Sequence, residues 1–100
     1  MAILYISEFN AQAHDGENNI APIARLPSNV DQTVAIGGST TASSAFASNT
    51  NFIRVHTDSI CSIAVGITPT ATTSNLRLAA GQTEYFAVSP GLKIAVIANT

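Results

Sequence analysis

Between Phe46 and Ala98 apolar and polar residues alternate in short runs broken by turn formers, the period-two pattern of half-buried strands. Residues 52–57 set Ile53, Val55 and Thr57 on one face against Phe52, Arg54 and His56 on the other. Asp58-Ser59 leads into an apolar run over residues 60–67, and a two-residue turn between two strands predicts a hairpin. Residues 76–78 begin another strand, Ala80-Gly81-Gln82 turns it, and residues 83–88 continue. Pro90-Gly91 then hands over to Leu92, Ile94 and Val96 on one face and Lys93, Ala95 and Ile97 on the other. The alternation predicts an inward set of Phe46, Ile53, Val55, Ile63, Val65, Phe86, Ile94 and Val96.

The first half is patterned more weakly. Residues 3–9 alternate as a strand with Ile3, Tyr5, Ser7 and Phe9 on one face and Leu4, Ile6 and Glu8 on the other. Both faces are partly apolar, so this strand asks for cover on two sides. Residues 11–19 read as a loop on Asp15-Gly16 and Asn18-Asn19. Residues 20–27 hold Pro22 and Pro27, which remove backbone donors and favour an extended arm or edge strand. Residues 32–36 form a short strand ended by Gly37-Gly38, and a further strand is centred on Ala45 and Phe46. Seven or eight strands without a helix predict an all-β domain, an antiparallel sandwich or jelly roll, with residues 1–31 as N-terminal strand and extended arm and 32–100 as the sandwich.

Charged residues make up 10% of the chain, against about 25% in an average soluble protein. Four basic residues, one of them the single lysine Lys93, provide no stripe to neutralise phosphates, so nucleic acid is not an expected partner. The apolar run at the N-terminus is too short for a signal-peptide core or a membrane span, which predicts synthesis in the cytoplasm and no membrane partner. A charge-poor, neutral polar surface suits persistent packing against other proteins, because burying charge at an interface costs desolvation.

Candidate chemistry is sparse. His56 and Asp58 could orient a hydroxyl or thiol nucleophile, but no nucleophile-elbow motif accompanies them. The groups His14, Asp15, Glu17 and His56, Asp58 lack the further ligands zinc requires, and each glycine stands at a turn or strand end rather than in a phosphate cradle. Cys61, the one cysteine, lies in an apolar run and reads as a small core residue. No enzyme activity, metal or cofactor is expected. A sugar-binding reading would draw on surface aromatics, for which the chain offers Tyr5 and Tyr85 and no Trp.

Residues 44–98 resemble a group of small virion-associated proteins of tailed bacteriophages and prophages. The likeness rests on Ser44-Ala45-Phe46, Asn49-Thr50 with Phe52-Ile53-Arg54-Val55, Cys61-Ser62-Ile63-Ala64-Val65-Gly66, the loop Pro69-Thr70-Ala71-Thr72-Thr73-Ser74, and residues 84–97 from Glu84-Tyr85-Phe86 through Pro90-Gly91 to Ile97. What the resemblance implies is a virion structural part, foremost a capsid decoration or cement protein, trimeric and bound to the major capsid protein or other virion proteins. A tail, neck or fibre-associated module and a small carbohydrate- or host-surface-binding domain are the alternatives. The expected oligomer or capsid contacts are Ile3, Tyr5, Phe9, Ile20, Ile23 and Leu26.

Overall fold

The computed structural model describes residues 2–14 and 20–99. Ten strands follow one another: β1 (Ile3–Phe9), β2 (Gln12–His14), β3 (Ile20–Ala24), β4 (Val30–Ala35), β5 (Thr41–Ala42), β6 (Phe52–Thr57), β7 (Cys61–Gly66), β8 (Leu76–Leu78), β9 (Thr83–Ala87) and β10 (Lys93–Ala98). Eight of them form two four-stranded sheets, ordered β4-β1-β6-β9 and β5-β10-β7-β8, while β2 and β3 pair with each other. No helix occurs among the described residues, and so none crosses a membrane. The chain is all-β, as its alternation predicts.

The antiparallel pairs β7·β8, β6·β9, β5·β10 and β4·β1 are successive rungs of one ribbon rolled onto itself. This is jelly-roll pairing, with the open end of the ribbon between β10 and β1. Between the sheets lie Leu4, Ile6, Val34, Ile36, Phe46, Ile53, Val55, Cys61, Ile63, Leu78, Ile94 and Val96, all buried. Phe86 is partly buried against them.

Several expectations are corrected. β1 is no arm. It is an inner strand, paired with β4 on one side and β6 on the other, and it sends Leu4 and Ile6 into the core. The Asp58-Ser59 turn, read as a hairpin, instead carries the chain from one sheet to the other, and so does the turn at Pro90-Gly91, because β6 and β9 belong to one sheet and β7 and β10 to its mate. At the first crossing Thr57 Oγ1 both donates to the Ser59 carbonyl (2.6 Å) and accepts from its N–H (3.2 Å). At the second, Gly91 takes a φ of +84°, open to glycine at little cost. Val65 is 41% exposed, since it lies beyond the stretch of β7 that β8 covers. The strand expected around Ala45 and Phe46 is regular only at β5; residues 43–46 follow β10 irregularly, with Ser43 N–H on the Ile94 carbonyl (2.8 Å) and Phe46 N–H on that of Leu92 (2.8 Å). The expected loop 11–19 contains β2, which pairs with the expected arm as β3.

The two outer faces differ. On the second sheet, loop 67–75 forms a roof: Ala71 is buried and its N–H donates to Thr40 Oγ1 (2.9 Å), while Asn99 Nδ2 joins Ser62 Oγ (2.8 Å) to the Thr73 carbonyl (3.2 Å). Ser62 and Ala95, whose alternation turns them away from the core, are thereby fully covered. Among the described residues no such roof lies over most of the outer face of the first sheet, and the side chains of that face define the site described next.

Candidate functional site

Cross-strand register builds this face in rows. Thr33, Tyr5, His56 and Thr83 stand side by side across β4, β1, β6 and β9, and beside them run Asp31, Ser7, Arg54 and Tyr85. A third row begins with Phe9 and Phe52, whose rings stack at 5.2 Å, and Phe52 is tilted against Tyr85 at 6.4 Å. Tyr5 and His56 approach at 6.2 Å between ring centroids, and His56 Nδ1 is held by Thr83 Oγ1 at 2.8 Å. Hydrogen bonds from Ser7 and Ser28 hold the Asp31 carboxyl below its usual range, the Ser28 hydroxyl lying 2.8 Å from Oδ1.

Among the shallow depressions that open on the face, two share residues. One, of about 630 Å³, is lined by Tyr5, Ser7, Asp31, Thr33, Arg54 and His56 among others. Its neighbour, of about 380 Å³, is lined by Ser7, Phe9, Ala24, Leu26, Arg54 and Tyr85. Ser7 and Arg54 are common to both, so the depressions are contiguous.

Of the expected contact residues, Tyr5 (43% exposed) and Leu26 (76%) are open to a partner, and Ile3 is half-buried. Phe9 is corrected: it is stacked on Phe52 and only 3% exposed, which leaves little surface for a second molecule. The side chains of Ile20 and Ile23 lie outside the described residues. The sequence left Asp31 and Arg54 unmarked and offered Tyr85 only to a sugar-binding reading; the alternation of β6 does turn Arg54 and His56 the same way, but their neighbours depend on register.

The groups considered for catalysis are separated. His56 lies on the outer face, Asp58 is exposed in the crossing turn, and Cys61 is fully buried in the core with Sγ 3.5 Å from Thr57 Oγ1. Burial raises the Cys61 thiol above its ordinary pKa, outweighing the Thr57 hydrogen bond. Among the described residues no three His, Cys, Asp or Glu side chains gather as metal ligands, and the pair Asp15 and Glu17 lies outside them. No family model, curated protein or solved structure matches this chain.

Proposed function

We propose that this chain is a non-catalytic structural component of a tailed-phage virion, in the first place a decoration protein that binds the head shell as a trimer. The resemblance of residues 44–98 motivates the virion setting, and the β2–β3 ribbon is the observation that carries the reading. Among the described residues this ribbon makes only slight contact with the other strands, and the molecule extends to 47 Å along one axis against 25 and 22 Å across the others. A two-stranded ribbon is marginally stable alone in water, so one that leaves the sandwich gains order by lying on a neighbour. Three copies holding one another and the shell need only weak individual contacts, because linked contacts multiply through effective concentration.

The test keeps β1, whose place inside the sheet makes removal of the whole N-terminal segment destructive. Gln12 pairs with Ala24, so residues 12–23 can be replaced by a short glycine-rich turn. The shortened protein should keep its β-sheet spectrum and cooperative melt yet fail to bind particles assembled without the protein, while the full chain sediments as a trimer and binds them in elevated salt. A full-length chain that is monomeric and leaves such particles bare, or a shortened one that binds them as well as the full chain, overturns the reading.

A further inference from the structure

We propose that the outer face of the β4-β1-β6-β9 sheet, unroofed by the described residues, is a binding site for a neutral oligosaccharide, with Tyr5 and Tyr85 as its two stacking platforms, Arg54 as the polar group between them and Asp31 as the one on the β4 side of Tyr5. Both tyrosines of the chain stand on this one face, 43% and 54% exposed, although tyrosine gains most by covering its ring. Tyr5 lines the first depression and Tyr85 the second, and these two meet at Ser7 and Arg54. Tyr5 and Tyr85 are two strands and one row apart, which at sheet spacings places their backbones roughly 12 Å from each other. That separation suits non-adjacent rings of a short saccharide, the sugar between them lying over Ser7 and Arg54.

The chemistry fits this ligand class better than others. A pyranose presents C–H groups on its faces and hydroxyls at its rim, and so needs flat apolar rings flanked by donors and acceptors. Asp31 is a carboxylate already oriented by serine hydroxyls, Arg54 supplies a planar fork of donors, and Thr83 fixes the His56 ring. One carboxylate and one guanidinium leave the face near neutrality, which disfavours phosphate polymers and acidic glycans. An interface with a second copy would call for a broader apolar centre than two tyrosine rings in a polar surround.

The proposal does not depend on the decoration reading, which rests on the β2–β3 ribbon. Full-length protein is applied to an array of neutral and acidic glycans, and the best neutral trisaccharide is titrated while backbone amide shifts are followed by NMR. Binding to neutral glycans is expected, with shifts confined to β1, β4, β6 and β9. Tyr5→Ala and Tyr85→Ala should each weaken it by roughly tenfold or more, whereas Tyr5→Phe and the off-face Arg77→Ala should bind as the parent does. Unchanged melting of the variants separates lost binding from lost folding. Absence of binding to every neutral glycan, preference for acidic ones, or affinity indifferent to both alanine substitutions would sink the idea. So would tyrosine variants that dissociate an oligomer, since the face would then be a contact between copies.

Discussion

Glu8 is fully buried, yet the partners of its carboxylate are neutral donors: Oε1 accepts from Ala47 N–H (2.8 Å) and Thr50 Oγ1 (2.7 Å), and Oε2 from Gln32 Nε2 (3.0 Å). Gln32 in turn accepts from Ser44 N–H (3.0 Å), so one side chain of β1 fastens the irregular stretch 44–50 to the first sheet. Among the described residues every buried side-chain nitrogen and oxygen has a hydrogen-bond partner. Glu8→Ala would leave three donors without an acceptor, and unfolding in denaturant should register a loss of about 3 kcal/mol. Glu8→Gln should cost less, about 1–2 kcal/mol, because its oxygen can serve Ala47 and Thr50 while its amino group meets that of Gln32. Cys61 gives a pH-dependent test. Its folded pKa lies above the unfolded one, so its contribution is complete below about pH 9 and is lost as pH rises toward the folded value. The parent protein should therefore lose stability above that pH more steeply than Cys61→Ala, and a thiol reagent at neutral pH should label native protein only as fast as it opens.

Alternation located most of the second-half strands and faced their side chains correctly, since Ile53, Val55, Ile63, Ile94 and Val96 are all buried. It could not name each strand's neighbour. Ile53 and Val55 on β6 and Cys61 and Ile63 on β7 all point into the core, whether the chain doubles back within a sheet or crosses between two, so Asp58-Ser59 reads alike in both cases. The same limit hid the candidate site, because Tyr5 and Tyr85 lie on one face only once β6 is set between β1 and β9. The two apolar faces of β1 were legible as a demand for double cover; Leu4 and Ile6 find it in the core and Phe9 beside the stacked Phe52, while Tyr5 stays 43% exposed. Position along an element also matters. Ile63 is buried and Val65, two residues on, is not, so Ile63→Ala should cost at least about 2 kcal/mol in chemical denaturation and Val65→Ala under about 1 kcal/mol.

Across the whole molecule, β7·β8 is the only rung of the rolled ribbon between strands consecutive in the chain; the others join β6 to β9, β5 to β10 and β4 to β1. Loop closure must come before most of these contacts can form, so refolding by stopped-flow should be slow for a chain of this length, in the range of about milliseconds to seconds. The opening of the ribbon has its own geometry. Ile36 N–H donates to the carbonyl of Ala2 (3.0 Å), and Ala98 N–H donates to that of the adjacent Gly37 (2.8 Å). Residues 2 and 98 therefore emerge side by side, at the end of β1 opposite the one from which the chain passes into the β2–β3 ribbon. A cargo grafted at either place would be carried on the side away from the ribbon, and a short tether joining the two would hold the opening of the rolled ribbon shut.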